Sequence, residues 1–185
     1  MEPDAVLIER SVRGRPDAFV EVVSRHEVAL HGYLARRAGR QAADDLLAEV
    51  WLRAFVARGG YDLAHGDARP WLYGIARNVL REHWRTGAGD EPAPLGEPRT
   101  DPWDGINARL DSAGRAKAIM SAVRALPAAE RDVLLLVAWE QLTPGEAAKV
   151  LGVPPGTARS RLHRARATLR RALSEYDAEK AGAST

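Results

Sequence analysis

With 185 residues and 45% hydrophobic positions, the chain is long enough for one domain or two small ones, each with its own core. The formal net charge is only +2 although the pI is about 9.2, so any surface for nucleic acid must be local. The lack of cysteine excludes a disulfide framework and a thiolate zinc site, and with no signal-peptide pattern or apolar run of transmembrane length the expectation is a soluble protein of the cytoplasm without a membrane span.

Residues 4–12, DAVLIERSV, predict a short helix closed by Arg13-Gly14-Arg15. A longer helix follows from Pro16 or Asp17 to Gly39. In it Phe19, Val22, Val23, His26, Leu30, Tyr33, Leu34 and Arg37 recur at three- and four-residue spacing, so its apolar members face a core. Between about Ala42 and Arg58 a third helix aligns Leu47, Val50, Trp51, Ala54 and Phe55 on one face, expected to be core. On its other side Leu52 and Val56 lie among Asp45, Glu49 and Arg53. Such a patch is either a partner surface or two incidental aliphatics, and the residues alone leave both open.

Arg58-Gly59-Gly60 breaks that helix, the polar loop YDLAHGDAR follows, and Pro70 starts a fourth helix, WLYGIARNVLREHWR. Its expected inward stripe is Leu72, Ile75, Ala76, Val79 and His83. The reverse face carries Tyr73, Arg77, Arg81 and Trp84, with Asn78 and Arg85 at its margin. Residues 69–85 hold four Arg against one acid, Glu82. Guanidinium groups meet phosphates while flat rings stack on unpaired bases, so this mixture suits single-stranded nucleic acid. The plainer alternative is an amphipathic surface helix with one exposed Trp.

From Thr86 to about Asp111 the composition turns rich in Gly and Pro, with six acids against two Arg and no periodicity. This predicts a flexible acidic linker over 87–111, with Trp103 a candidate to dock it on a neighbour. A second domain, 112–177, begins with a helix through Ile119, Met120, Val123 and Leu126 that stops at Pro127, followed by the dense apolar segment AAERDVLLLVAWE. Residues 178–185 read as a frayed polar tail.

The stretch from Leu142 to Leu173 reads as a helix-turn-helix. Thr143 and Glu146 have capping-box spacing, with Pro144 at the first helical position. Gly152 supplies the turn, and Pro154-Pro155 start the second helix. There Ala158, Leu162, Ala165, Leu169, Ala172 and Leu173 form one stripe, while six Arg and no acid lie between Thr157 and Leu173. Arg159, Ser160, His163 and Arg164 sit off the stripe near the N-terminal end, the end that enters the major groove in this motif.

The segments DDLLAEVWLRAF, RPWLYGIARNVLREHWR and LPAAERDVLLLVAWEQLTPGEAAKVLGVPPGTARSRLHRARATLR resemble the extracytoplasmic-function (ECF) group of bacterial RNA polymerase sigma factors, in order and over nearly the whole chain. The resemblance implies an all-α protein of two small helical domains joined by the flexible linker, with sigma region 2 in residues 1–86 and a helix-turn-helix region 4 in 112–177. It implies polymerase contacts by Asp45, Leu46, Glu49, Leu52, Arg53 and Val56 with the clamp helices of the largest subunits. Tyr73, Arg77, Asn78, Arg81 and Trp84 would bind and melt the −10 element, with Arg77 and Asn78 at the point of strand separation and loop residues Tyr61–Arg69 cupping a flipped base. Thr157, Arg159, Ser160, Arg161, His163, Arg164 and Arg166 would read the −35 element. Ala48, Trp51 and Gly145 stand where family members commonly carry Gln, Phe, and a carboxylate or aromatic residue.

The implied partners are the RNA polymerase core, through its clamp helices and flap, and promoter DNA, duplex and melted, with room for an anti-sigma factor. No cofactor is implied. No enzyme is expected either, since the five His at 26, 31, 65, 83 and 163 lack metal-ligand spacing and the chain has no phosphate-cradling Gly loop or nucleophile motif. The rival reading is a stand-alone helix-turn-helix regulator with a helical sensor domain.

Overall fold

The computed structural model describes residues 2–86 and 106–182, with side chains from Gly114 onward in the second stretch. Every regular element among these residues is helical, and the chain divides into two compact units. Most of the expected linker, with Trp103, lies outside the described residues. No helix among the described residues is long and apolar enough to cross a membrane.

The first unit contains α1 (Asp4–Val12), α2 (Ala18–Ala38), α3 (Arg40–Ala57) and α4 (Arg69–Arg85), with a 3-10 turn over Arg58–Gly60. Helices α2, α3 and α4 pack pairwise, and α1 lies against α2 and the 3-10 turn. Only Gly39 separates α2 from α3; its φ of +84° is a conformation that residues with a Cβ rarely adopt, and it reverses the chain without a loop. Val22, Leu34, Val50, Ala54, Leu72 and Ala76 are wholly buried where the three helices meet. Each Val or Leu buried there stabilises the unit by roughly 1.5–3 kcal/mol. Aromatic edges tie the helices further, Phe19 against Trp51 and Phe55, and Tyr33 against Tyr73 with ring centroids 5.1 Å apart.

Two faces differ from the sequence expectation. The buried stripe of α3 is Ala43, Leu46, Val50 and Ala54, while Leu47 and Trp51 are half-buried and Phe55 is 36% exposed. This helix carries apolar side chains around most of its circumference, so adjoining stripes satisfy the same spacing, and its seat between α2 and α4 selects the one that both cover. On α4 the buried stripe is Leu72, Tyr73, Ala76, Val79 and Leu80. Ile75 and His83 are left half-buried at its edge.

A buried carboxylate joins the ends of this unit. Asp4, in the first turn of α1, accepts hydrogen bonds from Arg25 Nη1 at 2.9 Å and from the Ala68 backbone N–H at 3.1 Å, and lies 2.7 Å from His26 Nε2. Ala68 precedes α4, so a side chain 64 residues away satisfies a donor at that helix start. Asp67 holds the next one, accepting from the Arg69 N–H at 2.8 Å.

The second unit contains α5 (Ile106–Ala125), α6 (Ala128–Ala138), α7 (Pro144–Leu151) and α8 (Pro155–Gly182). Helix α8 packs on both α5 and α6, over a core that includes Val123, Val133, Leu136, Ala147, Ala158, Leu162 and Ala165. Helix α5 starts at Ile106, inside the expected linker, and α8 runs on to Gly182, through most of the expected tail. Contacts with α5 explain the extension. Arg115 donates two hydrogen bonds to the Asp177 carboxylate, at 2.9 and 2.8 Å, and the Tyr176 hydroxyl sits where a Cβ on Gly114 would be.

Burial pushes the Asp4 carboxyl up, but bonds to His26, Ala68 and Arg25 outweigh it and hold the pKa at about 2, against an ordinary 3.8. A depressed carboxylate stabilises the fold above its unfolded pKa, and that contribution disappears as pH falls through the folded value. Asp4 should therefore contribute about 2 kcal/mol above pH 4, lost toward pH 2. Asp4→Ala should cost the first unit about 3 kcal/mol by leaving Arg25 without its buried partner. Urea unfolding of the full chain, with hydrogen exchange at α1 and α4 amides, measures both; exchange unchanged by the substitution would contradict the assignment.

Candidate nucleic-acid and polymerase interfaces

The helix-turn-helix is built by local chemistry. The Thr143 N–H donates to Glu146 Oε2 at 2.7 Å, and the Glu146 N–H donates back to Thr143 Oγ1 at 3.2 Å, so the capping box is closed. Helix α7 ends at Gly152, whose φ of +66° lets the Val153 N–H reach the Ala148 carbonyl at 3.0 Å. This is a Schellman termination, and it turns the chain into α8. Ala158, Leu162 and Ala165 then anchor α8, which leaves Arg159, Ser160, His163, Arg164 and Arg166 exposed and Thr157 and Arg161 half-buried.

Two of these seven candidates already have partners. Ser160 Oγ donates to the Thr157 carbonyl at 3.0 Å, as helical serines commonly do. Arg164 Nε donates to Glu130 Oε1 of α6 at 2.7 Å. Nothing in the local sequence marks Glu130, because the contact spans 34 residues.

In the first unit, Leu52 and Val56 are 60% and 74% exposed on α3, and Phe55 adjoins them. Asp45 is exposed and Glu49 half-buried. Leu46, also of the expected polymerase face, is 8% exposed and belongs to the core stripe. Arg53 bridges two helices, with Nε 2.6 Å from Glu49 Oε1 and Nη2 2.6 Å from Glu82 Oε2 of α4. The hydrogen bond from Arg53 is the main reason the Glu82 carboxyl lies below the usual carboxylate range.

On α4, Asn78 and Arg81 are exposed and Arg77 is half-buried. Tyr73 of the expected −10 set is buried. At 2% exposure against Tyr33 it is a core residue and cannot stack on a base in this conformation. Spacing within α4 places it among the arginines, because its partner Tyr33 lies 40 residues earlier in the chain. Trp84 is half-buried, and its indole N–H is shielded without an acceptor. Asn78, Arg81 and Arg85 line a groove of about 430 Å³ together with Arg53, Ala57 and Glu82, so candidates from the polymerase-facing and DNA-facing sets share one surface.

The 61–69 loop is ordered by its own polar groups. The Ala64 N–H bonds Asp62 Oδ1 at 3.0 Å, and the Tyr61 hydroxyl donates to the His65 carbonyl. The Tyr61 ring packs 5.1 Å from Trp71, and burial raises its pKa to about 12, which keeps that hydroxyl a donor. Leu63, Ala64, His65 and Gly66 are left exposed at the tip. Asp4, His26 and Asp67 bring ligand atoms within 4.8 Å of one another, a spacing that could hold a cation. Asp67 accepts from Arg69, and Asp4 accepts from Arg25 and Ala68 and pairs with His26. The cluster is an ordering network.

Known proteins share both units. Residues 22–89 match the family model of Sigma-70 region 2, and residues 116–169 match that of Sigma-70, region 4. The chain is 33% identical over 176 residues to the ECF RNA polymerase sigma factor SigM of Mycobacterium tuberculosis strain H37Rv, covering 92% of this chain and 84% of that one. It is 29% identical over 176 residues to the ECF RNA polymerase sigma factor BldN of Streptomyces coelicolor, covering 91% of this chain but 65% of the relative's length. Among solved structures it is similar to CnrH in complex with the cytosolic domain of CnrY, at a TM-score of 0.65 and 27% identity, covering 93% of this chain and 97% of that one. A helical first unit followed by a helix-turn-helix unit is the architecture of a promoter-recognition factor of bacterial RNA polymerase. The chain belongs to the sigma-70 family, in its ECF group, and is an RNA polymerase sigma factor. Two such regions in one chain do not favour a stand-alone regulator.

Gly152 gives a direct test of the helix-turn-helix geometry. Its surroundings leave room for a Cβ, so Gly152→Ala carries only the strain of the positive φ. The second unit should lose about 1–2 kcal/mol while the first is unaffected, as measured by denaturant unfolding with hydrogen exchange resolved by unit.

Proposed function

We propose that this chain binds RNA polymerase core through the exposed Leu52/Val56 side of α3, opens the −10 element against α4 and the 61–69 loop, and reads the −35 element with the exposed face of α8. The observation that carries this reading is the pairing of buried and cationic faces on α4 and α8. Each is fixed from behind by core residues, and each presents Arg with polar side chains to solvent. Arginine on phosphate supplies sequence-blind, salt-dependent affinity, and side chains that reach base edges supply selection.

Melting fits the α4 side chains that remain after Tyr73 is assigned to the core. Arg77, Asn78 and Arg81 lie along the exposed side, Trp84 is half-buried beside them, and the loop tip exposes Leu63, Ala64, His65 and Gly66 next to the Tyr61/Trp71 pair. Binding one separated strand offsets part of the unstacking cost. In the second unit an apolar groove of about 230 Å³, floored by Met120, Val123, Leu135 and Leu169, is the surface we assign to the polymerase flap. CnrH is seen with the cytosolic domain of CnrY; by analogy an anti-sigma protein is a proposed partner here, and the cytoplasm the proposed site of action. Bond making in RNA synthesis belongs to the polymerase, and this chain has a binding role only.

These assignments separate experimentally. Val56→Glu should reduce affinity for core polymerase at least tenfold in a pull-down or fluorescence titration, with the chain's unfolding unchanged. Asn78→Ala and Trp84→Ala should lower open-complex formation, read with an unpaired-base probe, by several-fold more than they lower duplex binding. A premelted template should restore both variants, and a failure to restore would remove α4 from the melting step.

A further inference from the structure

Arg164 is the one Arg on the exposed side of α8 for which an ion pair to another helix is seen among the described residues. Its partner, Glu130, lies in the first turn of α6, where the positive end of the helix dipole favours a carboxylate. The Glu130 side chain is 14% exposed and the Arg164 side chain 59%. The carboxylate is thus built into the unit while the guanidinium reaches outward from it. The contact uses Arg164 Nε, 2.7 Å from Glu130 Oε1, and among the described residues the Nη amino groups carry no partner.

That division of the guanidinium has a chemical consequence. An unpaired Arg on a long flexible stem satisfies itself on whichever phosphate oxygen is nearest, on any sequence. A carboxylate on Nε restrains the plane of the fork, offsets part of its net attraction for the phosphate backbone, and leaves the two Nη groups to meet another acceptor. Two adjacent acceptors on one base edge, as guanine presents with O6 and N7 in the major groove, match such a fork. The negative charge of Glu130 beside DNA weakens binding to every sequence equally. Its return is selectivity, since an Arg that misses its base acceptors has no loose alternative.

We propose that Glu130 is a specificity-determining positioning residue. It acts through Arg164, holding it for a base edge in the promoter duplex at the expense of sequence-blind affinity. The inference rests on the reading of α8 as the promoter-reading helix, and the experiment separates failure of one from failure of the other.

The probe is a promoter duplex selected by the wild-type chain with polymerase core from a pool randomised across the −35 region, together with all its single-base variants in that region. Wild type, Glu130→Ala, Glu130→Gln, Arg164→Ala and the Glu130→Ala/Arg164→Ala double variant are compared as holoenzymes by competition binding, with thermal unfolding of each free chain. Glu130→Ala should raise affinity for mismatched duplexes a few-fold and lower discrimination about tenfold at a single base position. Glu130→Gln, which keeps an acceptor oxygen, should fall between it and wild type. In the Arg164→Ala background, removal of Glu130 should change discrimination no further. Loss of discrimination spread evenly over all positions, or additive effects in the double variant, would overturn the positioning role while leaving the promoter-reading role of α8 intact. If Arg164→Ala itself leaves binding and discrimination unchanged, the reading of α8 fails at that residue. Should Glu130→Ala destabilise the chain, Glu130→Gln decides alone: discrimination equal to wild type at every position with the Arg164→Ala effect present would also count against the proposal if the Gln variant binds mismatched duplexes no differently.

Discussion

The first unit depends on one buried carboxylate. Asp4 draws α1, α2 and the start of α4 to a common point through Arg25, His26 and the Ala68 N–H. A charge there is tolerated because its donors outweigh its burial, the same balance that depresses its pKa. The position of the 61–69 loop follows, since its C-terminal end is pinned by Asp4 and Asp67 while Tyr61 and Trp71 brace its interior. A loop offered to an unpaired base must be ordered before the base arrives, or the binding energy is spent on ordering it.

The second unit reaches a fixed geometry by a different route, almost wholly local. The closed capping box, the Schellman turn at Gly152 and the Pro154-Pro155 start are each set within a few residues. For that reason the helix-turn-helix was legible in the sequence nearly to the residue. The first unit was less so. The buried stripe of α3 shifts to Leu46 because the helix is apolar on several sides, and only its neighbours decide which side is covered. Tyr73 reads as a nucleic-acid aromatic until Tyr33 packs against it, a contact that spacing within α4 cannot reveal. Asp4, with partners 21 to 64 residues away, and Glu130, 34 residues from Arg164, carry no local signal. Asp67 did carry one, as a carboxylate just ahead of Arg69-Pro70 at a helix start.

Residues of the two proposed surfaces share the groove between α3 and α4. Arg53 is bonded to Glu49 on its own helix and to Glu82 on the next, and Asn78, Arg81 and Arg85 line the same depression. The proposed polymerase surface and the proposed melting surface are therefore mechanically continuous. Rigid attachment to the polymerase through α3 would fix the placement of α4 without any further contact to that helix.

The unbroken course of α8 to Gly182 makes it a rod with its two ends in different employment. Twelve residues separate Arg164 from Tyr176, and at 1.5 Å per residue that is about 18 Å of stiff helix. Its far end is clamped to α5 by the Arg115–Asp177 pair and by the tyrosine seated over Gly114. A side chain at position 114 would have to displace the Tyr176 ring from its seat and would weaken that clamp. The absence of a side chain at Gly114 thus helps decide how firmly the far end of α8 is held against α5.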